Sequence, residues 1–228
     1  MNSSRRTFTL AGAAVAVAAT FSSLPAFADD ASEAKEVVAG AATTVGAFAA
    51  ATDYPDLPAL AGKAKAIIVF PQILEGGFII GGKGGTGVLL VRDPKTGAFG
   101  QPAFYTLGGM TFGALAGGQA AQVMMLVNTQ KGLDALLTTQ LKLGAGASIA
   151  AGPKGAGGNV ATTDIVSYSL TKGAYAGLAL DGSVLAVREK LNAAFFGKPV
   201  TPVDILIKNS VSNPAAAPVQ TALKSFVK

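Results

Sequence analysis

Gly82-Lys83-Gly84-Gly85-Thr86-Gly87 satisfies G-x-G-x-x-G, the spacing that lets a backbone approach a dinucleotide pyrophosphate. That use needs a helix directly after the glycines, so that its N-terminus meets the phosphates. Val88-Leu89-Leu90-Val91 follows instead, a β-type run, so the glycines read as a hairpin and no nucleotide is expected. Gly77 to Lys83 also fits G-x4-G-K, but Gly84 stands where a hydroxyl would hold magnesium. Ser148 lies in Gly-Ala-Ser-Ile-Ala, without the final glycine of a nucleophile elbow. The chain has no histidine and no cysteine, which removes Ser-His-Asp triads and thiolate nucleophiles together. A metal would have to rest on carboxylates alone. The 13 acids are scattered, and only Asp53 and Asp56 stand close, flanking a proline turn. Nothing marks a carboxylate pair of the kind that hydrolyses glycosides. The expectation is no catalytic residue, no cofactor and no metal.

Cations are the remaining candidates. Lys63 and Lys65 precede the first apolar run, and Lys83, Arg92 and Lys95 are expected at or beside the ends of a glycine-linked hairpin. Folded that way, the five would gather near an apolar surface and suit an anionic head group. There, apolar burial supplies binding energy and the cations attract phosphate. The other reading of the same residues is a set of solvated loop lysines.

Met1 to Arg6 is short and basic, Leu10 to Ala19 is uncharged and apolar, and Ala26-Phe27-Ala28 precedes Asp29-Asp30. This is the three-part plan of an export signal cut between Ala28 and Asp29. Ser4-Arg5-Arg6-Thr7-Phe8 resembles a twin-arginine signal, although Thr9 replaces the usual leucine; general secretion is the alternative route. The mature protein is then expected in a bacterial periplasm or beyond. Removing Arg5 and Arg6 from 18 basic residues leaves 16 against 13 acids, a formal +3, with no Lys/Arg tract for nucleic acid. Half the residues are apolar and 14% are charged, so most of the chain must be buried in one domain. The uncharged stretch within Thr96 to Gln130 is broken by glycine, proline and amides, and reads as buried strands more than a lipid-spanning helix. Gly109, Gly113 and Gly117 within it fit close sheet packing better than a pair of membrane helices.

Asp29 to Ala51 is expected to be a helix, with Val37, Val38, Ala41, Val45 and Phe48 at helical spacing. Leu57 to Lys63 adds a short turn of helix. From Ala64 the pattern changes to apolar runs broken by glycine, which in a strand marks a bend, a bulge or a close backbone approach. Ala66 to Phe70 is expected to be a strand stopped by Pro71, and Gly77 to Gly81 to pair with Gly87 to Arg92 across Gly81-Gly82-Lys83-Gly84-Gly85. Asp93 to Gly97 is a turn. Further strands are expected at Ala103 to Leu107, Phe112 to Ala116, Val123 to Val127, Leu141 to Ala150, Asp164 to Thr171, Ala174 to Leu180 and Ser183 to Val187. Asp181-Gly182 reads as a hairpin turn. Helices are expected over Thr129 to Thr139, Val187 to Phe196 and Val219 to Lys228. The fold class is α+β: a strongly bent, mostly antiparallel, glycine-rich sheet, barrel-like or a sandwich, with an N-terminal helix and C-terminal helices.

Ala64 to Val91, Gln101 to Gly109, Gly113 to Asn128, Ile149 to Pro153 and Asp164 to Leu185 together resemble the SYLF domain of the Ysc84-like lipid-binding family. Gly77-Phe78 with a following Gly-Gly, Gln119 after the glycine series, Ala151-Gly152-Pro153, and Ser167-Tyr168-Ser169 ahead of Gly177 and Gly182 carry the resemblance, which runs from about Asp30 to Val211. Gly97-Ala98-Phe99-Gly100 departs from the aromatic-rich turn common in the family. The resemblance implies non-catalytic binding of acidic phospholipids, phosphoinositides among them, and for this chain a membrane-surface partner at the cell envelope, peripherally attached. It implies a domain over 29–211, after a leader over 1–28 and before a Pro/Ala link and short helix over 212–228. The alternative is an envelope assembly protein acting by self-association as a homo-oligomer. An exported hydrolase using carboxylates is the third reading.

Overall fold

Pro71 is the residue around which the sheet is arranged. In the computed structural model, which describes residues 26–78, 80–112, 117–155, 162–172 and 178–227, the first strand does not stop at this proline: β1 runs Ala66–Gly77. Its partners, β2 (Ile80–Val91) and β4 (Gly117–Val127), both lose register there, between Val69 and Leu74 on one side and between Phe70 and Ile73 on the other. One extra residue in β1 is absorbed on each side, which is a β-bulge. A proline has no N–H for the ladder, so a bulge is the place a central strand can hold one.

The expected glycine-linked hairpin is also corrected. Gly81 to Gly85 is not a turn but part of β2, with Glu75 opposite Lys83 and Gly77 opposite Gly81. The real hairpin joins β1 to β2 just beyond Gly77. The other strands are β3 (Ala103–Phe112), β5 (Gln140–Lys142), β6 (Ile149–Ala151), β7 (Ile165–Lys172) and β8 (Val184–Val187). They form one strongly curled sheet in the order β5-β8-β3-β2-β1-β4-β7-β6, antiparallel except for β6 with β7. The fold class is therefore as expected. Leu141 to Ala150 is split into two short strands by a turn, and Leu178 to Leu180 is not strand. The rest of the expected strand at Ala174, and the segment from Gly113 to Ala116, lie outside the described residues, as do residues 1–25 of the expected leader.

Both faces of the sheet's central part are covered, which is why Ala66 to Phe70 is a continuous apolar run with no exposed residue. One face carries Ile67, Val69, Val88, Leu90, Phe104, Met124 and Leu126 against three helices. The first, α1 (Ala26–Ala50), contributes Ala34, Val38, Ala41, Val45 and Phe48, a stripe at spacings of four and three. Gly40 lets it sit down on the bulge, since a Cβ there would lie 3.0 Å from Pro71 Cβ. Beside α1 pack α4 (Glu189–Phe196) and α6 (Ala217–Phe226). The opposite face carries Ile68, Phe70, Ile73, Leu89, Tyr105, Leu107, Val123 and Met125, closed by α3 (Gln130–Leu136), α5 (Pro202–Leu206) and Leu141, Leu143, Leu178 and Leu180. A short α2 (Leu57–Ala61) leads into β1. Among the described residues no helix is long and apolar enough to cross a membrane.

Candidate functional site

Lys65 is fixed where β1 begins. Its N–H donates to Val127 O at 2.8 Å and its carbonyl accepts from Arg92 N at 2.9 Å, so the end of β4, the start of β1 and the end of β2 are tied together. This brings Lys63, Lys65 and Arg92 onto one cleft of about 370 Å³, with Val91, Pro94, Gln130, Leu133 and Ile207. Lys63 and Lys65 are exposed and Arg92 is half-buried. The Arg92 Nε is buried without a hydrogen-bond partner, and the guanidinium lies over the turn at Gly97. An adjoining cleft of about 380 Å³ shares Arg92, Pro94 and Ile207.

The turn beyond Arg92 keeps its one carboxylate occupied. Asp93 Oδ1 accepts from the N–H of Lys95 and of Thr96, both at 2.8 Å. The Thr96 and Lys95 amides hold the carboxyl below its ordinary pKa, so it remains an acceptor for the turn. Lys95 is exposed on this turn and lines neither cleft. Four of the five expected cations thus belong to one end of the sheet, three of them on a common cleft. Ile207, 46% exposed on its rim, is a contributor that sequence reasoning missed.

Lys83 does not join them. It lies within β2, nine residues from Arg92, on the face opposite α1, α4 and α6, and is 7% exposed. Its ammonium donates to the carbonyl of Ala179. Glu75 is directly opposite on β1 and Gln119 directly opposite Glu75 on β4, with Gln119 Nε2 donating to Glu75 Oε2 at 2.5 Å. Burial lowers the Lys83 pKa, against the pull of Glu75 and Asp181. This is a cross-strand row inside the fold, apart from the cleft that Lys63, Lys65 and Arg92 share.

The remaining chemical candidates are structural. Ser148 Oγ donates to Asp164 Oδ2 and accepts from Asp164 N, both at 2.9 Å, while Thr129 Oγ1 donates to Asp164 Oδ1 at 2.5 Å and itself caps α3. The Thr129 hydroxyl and the Ser148 amide hold the Asp164 carboxyl far below the usual range. This serine is locked into a turn, with its hydroxyl engaged both as donor and as acceptor by Asp164. Asp53 pairs with Lys154 at 3.3 Å, and Asp56 lines a separate pocket of about 200 Å³ with Tyr54, Lys63, Pro153 and Tyr168. No group of three or more metal-ligating side chains occurs among the described residues.

The curled sheet thus ends in a basic cleft, while Ser148, Asp53, Asp93 and Asp164 are each engaged within the fold. The chain belongs to the Ysc84 family, described as Las17-binding protein actin regulator, whose family model matches residues 108–226. It is 32% identical over 179 residues to the SH3 domain-containing protein PJ696.02 of Schizosaccharomyces pombe, covering 75% of this chain and 41% of that protein. It is 28% identical to LAS seventeen-binding protein 3 of Saccharomyces cerevisiae, over 74% of this chain and 38% of that one. With the SH3 domain-containing YSC84-like protein 1 of Bos taurus it shares 28% identity, over 73% and 50%. The chain thus spans half or less of the length of these relatives, one of which is named for binding. No solved structure matches it.

Proposed function

We propose that the protein is a non-catalytic lipid-binding domain that takes acidic phospholipid at the cleft formed by Lys63, Lys65 and Arg92. The observation that carries this reading is the convergence of three cations, none of them ion-paired among the described residues, on one cleft whose rim exposes an isoleucine. A phosphate would meet the cations while Ile207 meets the acyl boundary. Each cation near an anionic surface contributes about 1 kcal/mol, and the mature chain would carry only +3, so apolar contact must supply the remainder. The expected leader supports a role at the cell envelope. Las17 binding and actin regulation are named for a relative and for the family, and we do not extend them to a chain expected to be exported.

Vesicle co-sedimentation over a salt series tests the reading. Lys63→Glu with Lys65→Glu should lower affinity for vesicles containing phosphatidylglycerol at least tenfold, whereas Lys224→Glu on α6 should cost less. Equal and negligible binding of the unaltered protein to acidic and neutral vesicles at low salt would defeat it in favour of the assembly protein.

A further inference from the structure

Four large apolar side chains stand out at the other end of the sheet. Leu74, Phe78, Ile80 and Met110 are 56, 73, 61 and 67% exposed. Register places three of them on one face: Leu74 is opposite Gly84, Gly84 opposite Gly108, and Met110 opposite Gly82, two residues from Ile80. Phe78 sits in the bend between β1 and β2. The positions between them on that face are Gly76, Gly82, Gly84, Gly108, Gly118 and Ala120. The two charged residues in this part of β1 and β2, Glu75 and Lys83, turn to the opposite face, where they are buried across from one another. The helical cover ends at Leu74, beside Glu33, Glu36 and Val37 of α1.

We propose that this apolar stretch of β1, β2 and β3, bordered by Lys172 of β7 in the cross-strand row of Leu74 and by Glu33 and Glu36 of α1, inserts into the acyl boundary of a bilayer, a second lipid contact that rests on the reading of the protein as one that works at a lipid surface. Soluble proteins rarely leave several large apolar side chains together in water without a use for them. Their setting favours lipid over a protein partner. Bare glycine backbone lies between the protruding side chains, and a protein would have to fill those hollows with a matching shape. Four side chains also present at most several hundred Å², while a standard protein interface takes about 800 Å² from each partner. Liquid hydrocarbon fills hollows of any shape. The backbone is suited to it as well. The two central strands stay paired up to the bend, Gly77 with both Gly81 and Gly117 and Ile80 with Phe112, so their polar groups are bonded internally, as an apolar medium requires. With β1 twelve residues long, this end lies about 35–40 Å from the basic cleft, so the two contacts are separate.

The chain has no tryptophan, so Phe78→Trp gives a single reporter at an exposed position. A melting curve matching that of the unaltered protein qualifies the variant. Its emission should move to shorter wavelength on adding phosphatidylcholine vesicles and be quenched by doxyl-labelled phosphatidylcholine. High salt should leave both effects in place, and Ile80→Ser with Met110→Ser should remove them. Emission that stays unmoved while the protein still sediments with acidic vesicles would overturn the insertion and leave the basic cleft standing. Insertion that persists where acidic vesicles give no added binding would sink the cleft and uphold the tip. A shift that needs no lipid and grows with protein concentration would overturn the proposal in favour of a second copy covering this face.

Discussion

Gly84 and Gly85 are neighbours in β2 and should respond to alanine with opposite sign. At Gly85 a Cβ would fall 2.2 Å from Gln72 O and 3.1 Å from Ile73 Cα, on the bulged stretch of β1. Both are backbone atoms, so no rotamer change relieves the overlap, and the bulge must move away from β2. Moving it drags Pro71 against α1, where Gly40 leaves no spare room. Overpacking of this kind costs about 1–3 kcal/mol. At roughly 2–4 °C per kcal/mol for a chain of this size, Gly85→Ala should lower Tm by about 2–12 °C. At Gly84 the nearest atom to a Cβ is Leu107 O at 3.4 Å, on the edge of ordinary contact, with no positive φ to strain. Alanine there removes glycine's excess unfolded-state entropy and should be neutral or stabilising by up to about 1 kcal/mol. Urea and thermal unfolding of the two variants, followed by circular dichroism, compare them directly. Equal stability, or Gly84→Ala the weaker, would refute the claim that the bulge presses on Gly85.

Lys83→Met should destabilise by about 1–3 kcal/mol, because it takes the donor from the Ala179 carbonyl and removes the cation facing buried Glu75, while Glu75→Leu with Lys83→Met should recover part of that loss; a double variant less stable than the single one would show that the facing charges are not what matters. Asp204 is held down to about 2 by the Thr201 hydroxyl and then by Lys208. Its folded pKa is depressed, so its contribution is present above the ordinary carboxylate value and disappears as pH falls from about 4 through about 2. Thr201→Val should raise the Asp204 pKa in a carbon-detected NMR titration, and an unchanged titration would contradict the capping box. If both ends of the sheet engage lipid, the protein should cluster acidic vesicles at low salt, read as turbidity. Either Lys63→Glu with Lys65→Glu or Ile80→Ser with Met110→Ser should abolish clustering, and clustering that survives both would mean neither end bridges.

The helices and the sheet class were legible because their signals are local. Ala34 to Phe48 repeats at helical spacing, and the glycine-broken apolar runs do mark close backbone approaches, as Gly85 against Gln72 shows. The hairpin was misplaced because glycine clusters mark turns and close approaches alike, and composition alone does not separate the two. The discriminating signal was present: Glu75-Gly-Gly-Phe-Ile-Ile-Gly-Gly-Lys83 is symmetric about its central isoleucine, with opposite charges at its ends, as two oppositely charged residues facing one another across a hairpin would be. Pro71 pointed the other way, since a proline in a strand argues for an end unless a bulge receives it. Moving the turn from the glycines around Lys83 to the link just beyond Gly77 carries Lys83 from a loop into a buried row, and removes it from the basic set.

That shift of register also separates two properties that sequence reasoning placed together. With the turn beyond Gly77, β1 and β2 are each twelve residues long, and whatever precedes β1 or follows β2 collects at one end while the bend projects at the other. Lys63, Lys65, Arg92 and Lys95 are all flanking residues and share the first end. Leu74, Phe78, Ile80 and Met110 belong to the second. The two sets lie about a strand's length apart, so charge attraction and apolar burial would act at different contacts and answer to different variables. Salt screens the first over about 10 Å at ordinary ionic strength and leaves the second intact. Binding measured at one salt concentration on one lipid mixture would blend the two. A salt series on acidic and neutral vesicles resolves them, because only the cleft requires an anionic head group.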